Sequence, residues 1–290
     1  MKINRLALVG LCTVSLLQAG NTISVYGGGI DYTDSIKDTG FFAGAYFQNS
    51  SLKNKIELGY ERTEISYIDD TLENIEQNDF SIAWDHYVGQ NFLFRLGGHY
   101  IDSNGVDTDR VYTAFAGAKY YQGYDFDIGL DGYYSDYSDY RRADGTTGLN
   151  VMQVEPSIGF GFGNYQSCMG SAYLRTYYTY IQSDRVEGGS VKDSYHSGGL
   201  VLQHFKGNWT NEIGGWIGKQ VFAVKNKGFT VFNLAEERKG GFALSSSYAF
   251  SKSTSLRLQY AYESFEEIVA SNDITDASTT TMSLFLNYNF

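Results

Sequence analysis

A single proline, Pro156, and two cysteines, Cys12 and Cys168, are all this 290-residue chain carries of either type. With one proline, the backbone donors that long β-ladders need are left almost untouched. Cys12 follows Leu11 rather than a small residue, which excludes a lipoprotein anchor. Cys12 also falls inside a leader-like segment. Its removal leaves Cys168 alone and excludes an intramolecular disulfide. Beyond the leader there is no apolar run long enough for a membrane-spanning helix. No clustered Cys/His spacing occurs, so neither a metal nor a cofactor is expected. Gly27-Gly28-Gly29 opens a strand pattern with no helix after it, which excludes a nucleotide-binding loop.

Met1 to Gly20 reads as a secretory signal peptide. Lys2 and Arg5 precede an apolar stretch, Leu6 to Leu17, and Gln18-Ala19-Gly20 offers small residues for cleavage. Residues 21–290 are then expected to form one domain. Loss of Lys2 and Arg5 with the leader takes the formal net charge from −11 to −13. That balance excludes nucleic acid as a partner. The chain is rich in aromatics and glycine, with 25 Tyr, 19 Phe and 33 Gly. Its mean hydropathy is nevertheless only −0.30. Aromatic girdles around a polar interior produce this combination in a membrane barrel.

Alternation of period two recurs along the chain and predicts strands at 22–32, 40–49, 55–68, 77–88, 92–101, 111–121, 126–137, 149–162, 169–181, 194–205, 209–221, 240–250, 254–266 and 278–290. The connections alternate in kind. After even-numbered strands they are tight, as at Gly89-Gln90-Asn91, Lys206-Gly207-Asn208 and Ser251-Lys252-Ser253. After odd-numbered strands they are longer and charged, at 33–39, 69–76, 102–110, 138–148, 182–193, 222–239 and 267–277. The expected fold is all-β: a transmembrane antiparallel up-and-down barrel of about 14 strands, within bounds of 12 and 16. Short turns face the periplasm and long loops the exterior.

Carboxylates are costly in hydrocarbon, so on each strand the face with acids is assigned to the lumen. This places Glu57, Glu61, Asp79, Asp85, Asp127, Asp131, Glu155, Glu212 and Glu263 inside, with Arg95, Lys119, Arg175 and Arg257. The balance predicts a cation-preferring interior. Lipid-facing sets include Phe80-Ile82-Trp84, Phe92-Phe94-Leu96 and Ile128-Leu130-Tyr134. Arg62 falls on the lipid parity near the outer end, where it can snorkel. Pro156 predicts a bulge or local break in the eighth strand. Strand eleven has an ambiguous register, because Trp209 and Asn211 share a face with Ile213. The longest loop, 222–239, has an apolar middle, Phe229 to Leu234. It either folds into the pore or extends the strands above the membrane.

The last strand alternates Met282, Leu284, Leu286, Tyr288 and Phe290 on one face and ends on an aromatic residue. This resembles the C-terminal signal of bacterial outer-membrane barrels. Taken with the leader and the loop rhythm, the mature chain resembles a small, monomeric, 14-stranded porin of the outer membrane. The resemblance implies passive diffusion of small solutes or ions. It also implies recognition of Leu286, Tyr288 and Phe290 by the barrel-assembly machinery, and contact with outer-membrane lipid and lipopolysaccharide. The alternative is a non-conducting surface barrel acting as an adhesin or structural protein. No enzymatic role is expected. His196-Ser197-Gly198-Gly199 resembles the His-x-Ser-Asn-Gly motif of outer-membrane phospholipases, yet adjacent strand residues point to opposite faces. Asp85-His86 resembles the Asp-His pair of outer-membrane proteases, but at the periplasmic end rather than the outer rim.

Overall fold

A computed structural model describes residues 20–105, 108–141, 147–183, 194–267 and 276–290. Residues 1–19 of the expected leader and parts of the loops at 102–110, 138–148, 182–193 and 267–277 lie outside these residues, while Gly20, the last residue of that leader, opens the first strand. Fourteen strands form a closed antiparallel barrel. They are β1 (Gly20–Thr33), β2 (Lys37–Ser50), β3 (Asn54–Tyr67), β4 (Ile75–Val88), β5 (Phe92–Ser103), β6 (Val111–Gln122), β7 (Phe126–Arg141), β8 (Thr147–Asn164), β9 (Gly170–Ser183), β10 (Ser194–Lys206), β11 (Trp209–Gln220), β14 (Glu236–Ala249), β15 (Thr254–Glu267) and β16 (Asp276–Asn289). Between β11 and β14, the short strands β12 (Val224–Lys225) and β13 (Thr230–Val231) form a small separate hairpin.

Each barrel strand pairs with its chain neighbour, and β1 pairs with β16 from Thr22↔Asn289 to Thr33↔Ser278. At the seam the Asn21 amide donates to the Phe290 carbonyl at 3.0 Å and the Phe290 amide returns the bond at 2.9 Å. Closure leaves no unpaired sheet edge, which a hydrocarbon environment demands.

Alternation sorts the side chains. On β4, Phe80, Ile82 and Trp84 are 47, 54 and 41 % exposed on the outside, while Asp79, Ala83 and Asp85 are buried inside. The outer face carries two belts of aromatic residues. Near the short turns Phe92 meets Tyr120 at 5.2 Å, Phe126 meets Phe160 at 5.6 Å and Trp209 meets Tyr248 at 4.7 Å between ring centres. Toward the long loops Tyr60, Phe80, Tyr100 and Tyr112 form a chain of ring contacts. Two aromatic girdles bounding an apolar band fit a bilayer-spanning barrel.

Several local features differ from the sequence expectation. The loop expected at 33–39 is only Asp34-Ser35-Ile36, turned by Asp34 at φ 55°. Of the two outcomes expected at Pro156, a bulge or a local break, the break is the one found. The register of Pro156 against β7 is unbroken at Leu130↔Pro156. The β9 ladder skips Glu155 and Pro156 and resumes in the same register from Val154↔Tyr180 to Ser157↔Tyr177. A missing donor therefore costs local pairing without shifting the strand. The register shifts lie at the long-loop ends, between Lys37 and Gly40, Tyr137 and Arg141, Ile217 and Gln220, and Arg238 and Gly240. Bulges favour barrel rims, where they bend a strand away from the wall. On β11, Trp209 and Ile213 are both about half exposed, which resolves its register as outward for this set. In the β3–β4 loop the Thr71 amide and hydroxyl donate to Asp69 and hold its carboxyl below the usual range.

Candidate functional site: the barrel interior and its inward loop

The long connection between β11 and β14 does not rise above the barrel. A bulge with Gly218 at φ 119° and Phe222 at φ 52° turn the chain off the wall and inward. Val221, Phe222, Ala223 and Val224 are each 1 % exposed. They pack with Ala83, Ile101, Val111, Phe115, Tyr133 and Leu149, contributed by β4 to β8. Of the two expectations for this loop, folding into the pore is the one realised, although β14 also starts four residues earlier, at Glu236. Fully burying a side chain such as Phe222 is worth about 2 kcal/mol, enough to compete with exposing the loop to water.

Specific polar contacts fix the loop against the far wall. The Gln153 side-chain amide donates to the Val224 carbonyl at 2.7 Å, and the Val224 amide donates to Gln153 Oε1 at 2.8 Å. Gln153 thus acts as a one-residue strand for the loop. The Tyr137 hydroxyl donates to the Phe232 carbonyl at 3.2 Å, and Asn233 donates to Gln77 at 2.6 Å. At the tip, Phe229 lies 5.8 Å from the Tyr46 ring, over Gly59. A Cβ at position 59 would come within 3.1 Å of the Phe229 ring, so glycine there makes room for the loop. Gly228, at φ 95°, packs still more closely on the Phe115 ring.

The thirteen charged residues assigned to the lumen all project inward, and most sit in compensated groups. Arg95 Nη1 lies 2.6 Å from Glu57 and 2.7 Å from Asp85. Lys55 bridges the same two carboxylates at 2.9 and 2.8 Å. Lys119 pairs with Asp127 at 2.7 Å, and Tyr173 donates to the same carboxylate at 2.6 Å. Arg175 meets Glu155 at 2.9 Å, whose cross-strand neighbour is Asp131. Glu263 receives Arg238 and, at 3.2 Å, Lys225 of the inward loop. Lys37 joins Glu236 and Glu267 near the rim at 2.9 and 2.7 Å.

Among the described residues three lumen carboxylates stand apart from Lys and Arg: Asp131, beside Glu155, and the pair Glu61 and Asp79. Glu61 and Asp79 face each other across β3 and β4. Their partners are uncharged groups or imidazole: Thr63 donates to Glu61 at 3.4 Å, Gln77 donates to Asp79 at 2.8 Å, and His99 Nε2 lies 2.8 Å from Asp79. Glu212 accepts from Gln203 at 2.7 Å and stands 3.9 Å from Arg257.

Strand parity assigned these residues to the interior but did not pair them. Lys55 shares the parity of Glu57 and was legible on the same rule. Lys37, Lys225 and Arg238 come from a rim and a loop, where alternation gives no guide. Gln153, His99 and Gln203 carry no formal charge and so gave no signal in a count of charges. Arg62 lies outside at the rim, paired with Glu64 and Glu76 at 2.9 and 2.7 Å. The remaining histidines contact Asn54, Tyr178 and the Met169 carbonyl. Ser197 accepts from Gln220 at 2.6 Å on the face opposite His196. Leu286, Tyr288 and Phe290 are 46, 52 and 58 % exposed on the outer face at the seam.

No family profile and no curated protein matches the chain. Solved structures do. The Ralstonia pickettii toluene transporter TbuX aligns over 95 % of this chain and 90 % of its own, at 9 % identity and a TM-score of 0.60. The monoaromatic hydrocarbon channel CymD aligns over 94 % and 89 %, at 9 % identity and 0.58. The porin NanC aligns over 90 % and 98 %, at 10 % identity and 0.51. At such identities the likeness is one of fold. With closure, strand count and turn asymmetry already established, the chain is a small 14-stranded barrel of the outer-membrane type.

Proposed function

We propose that this protein is an outer-membrane channel for passive diffusion of small solutes, with the inward loop as its restriction. The observation that carries this reading is the inversion of polarity across one closed wall. The outside is an apolar band with two aromatic girdles, and the inside holds the charged groups, hydroxyls and amides. An interior of that kind is matched to water and polar solutes. The named neighbours are themselves transporters, channels and a porin.

The loop packs on β4 to β10. On the facing wall Lys225 of the loop reaches Trp216 and Glu263, and we place the solute path beside it, where Gly214, Ala243 and Ala261 pair across β11, β14 and β15 and keep side chains small. Selectivity is weaker than a bare charge count implies, because paired charges cancel at short range. Cation preference rests mainly on Glu61, Asp79 and Asp131. We further assign recognition by the barrel-assembly machinery to Leu286, Tyr288 and Phe290, a monomeric state, and contact of the outer rim with lipopolysaccharide.

The test is flux through proteoliposomes containing the refolded protein. Swelling in isosmotic small solutes, at a rate falling with solute size, is the expected result. Liposomes that remain impermeable would favour the non-conducting surface barrel, a reading favoured by the loop packed inside the lumen.

A further inference from the structure

The outer face of the wall made by β10, β11, β14, β15, β16 and β1 carries a shallow groove of about 680 Å³. Its sides are Ile213, Leu244, Leu258, Met282 and Leu284, all exposed. One end is polar. Asn211 and Ser246 are direct cross-strand neighbours on the outward parity, and His204 is next in the same row. The Ser246 hydroxyl donates to Asn211 Oδ1 at 2.7 Å, which leaves the Asn211 amide nitrogen without a protein partner among the described residues. One step nearer the short turns is the Trp209–Tyr248 pair of the aromatic belt. Beyond that pair, Lys206 ends β10 and Lys252 lies in the β14–β15 turn, both exposed and neither in an ion pair among the described residues. The two turns adjoin, since the Ala249 amide donates to the Asn208 carbonyl at 2.9 Å. The terminal carboxylate of Phe290 lies further round, at the seam with β1.

The other end is apolar and deeper in the bilayer. From Asn211 one cross-strand row runs through Ser246, Leu258 and Leu284 to Gly27. Strand tilt makes this row climb. Counted from the short-turn end, Asn211 is the third residue of β11, Leu258 the fifth of β15 and Gly27 the eighth of β1. Gly27 has the outward parity but no side chain, which opens the floor of the groove. Four strand spacings, about 19 Å, separate Asn211 from Gly27. The groove thus begins at an aromatic belt beside two lysines and an amide, and ends in hydrocarbon. An amide at the edge of hydrocarbon is costly without a hydrogen-bond partner. A phosphodiester with glycerol esters supplies acceptors for that amide and for both ammonium groups, and an acyl chain fills the slot above them.

We propose that this groove holds one anionic phospholipid of the periplasmic leaflet, its phosphate held by Lys206 and Lys252 and one acyl chain lying along the row from Ser246 to Gly27. A zwitterionic lipid lacks the net charge that the two lysines select. The site is on the lipid face, so it stands whether or not the barrel conducts.

The experiment uses the refolded barrel in non-ionic detergent micelles, with dioleoylphosphatidylglycerol and dioleoylphosphatidylcholine in equal amounts as probes. Native mass spectrometry counts the lipids retained on each folded barrel. Expected is one phosphatidylglycerol per barrel, preferred over phosphatidylcholine about tenfold, the scale of one to two lysines acting on a charged headgroup. Lys206→Gln with Lys252→Gln should abolish the preference. Asn211→Leu should weaken retention about fivefold, the scale of one hydrogen bond. Lys53→Gln, on the β2–β3 turn of the same end but away from the groove, should change nothing. Each variant is compared as the heat-modifiable, folded form. Equal retention of the two lipids would mean ordinary bilayer contact and overturns the site. So does a loss with Lys53→Gln as large as that of the double variant, which would mean surface charge alone. Displacement of the lipid by free glycerol phosphate would mean a phosphate site and overturns the lipid assignment.

Discussion

At the scale of single residues, the interior is decided by partners rather than by charge. Asp127 and Asp131 share one face of β7, yet Asp127 is committed to Lys119 and Tyr173. Replacing Asp127 with Asn removes one partner of a buried pair and should cost about 3–5 kcal/mol, because Lys119 is left uncompensated. Chemical denaturation of the folded protein measures this. A loss below about 1 kcal/mol, the scale of an exposed pair, would contradict the pairing. By contrast, Glu61→Gln with Asp79→Asn should leave the fold intact and lower the cation preference. The reversal potential in a salt gradient reads this out, and an unchanged potential would move selectivity elsewhere. Alternation sufficed to place all these residues inside, since parity is a local property of a strand. It could not pair them, because Arg95 reaches Glu57 across two strand interfaces. Lys55 could have been placed from the sequence by the rule that placed Glu57.

At the scale of elements, the strands were legible and the inward loop was only half so. Strand identity follows from local period and turn residues, and the observed bounds differ from expectation by a few residues. The loop's position depends on room provided by residues far apart in sequence, such as Gly59, Ala83 and Gln153. No local pattern around 222–239 encodes that space, so an apolar middle fitted two placements equally. Gln153→Ala removes both bonds to Val224 and should free the loop locally, with a cost of about 1–3 kcal/mol. Faster proteolysis within 221–235, with the barrel itself resistant, is the expected sign. Unchanged protection would show that apolar packing alone holds the loop. The terminal strand carries a second element-level prediction. Deleting Phe290 removes the reciprocal bonds to Asn21 at the seam and should reduce the yield of heat-modifiable protein in outer membranes. Normal assembly would argue against Phe290 as the signal.

At the scale of the whole molecule, an even strand count, closure at Asn21–Phe290 and asymmetric connections set one orientation. Short turns such as 51–53 and 89–91 share an end with Cys168, which is exposed between β8 and β9. An impermeant thiol reagent applied to intact cells should leave Cys168 unlabelled, whereas tags inserted in 69–74 should be accessible. Labelling of Cys168 from outside would reverse the orientation. The central claim is that this barrel conducts despite the loop inside it. Single-channel recording of the refolded wild-type protein in a planar bilayer tests that claim most directly. The account predicts discrete openings that favour K⁺ over Cl⁻ at low ionic strength, with larger conductance once Gln153→Ala frees the loop. A folded, inserted protein that passes no current with either Gln153 or its alanine replacement would contradict it.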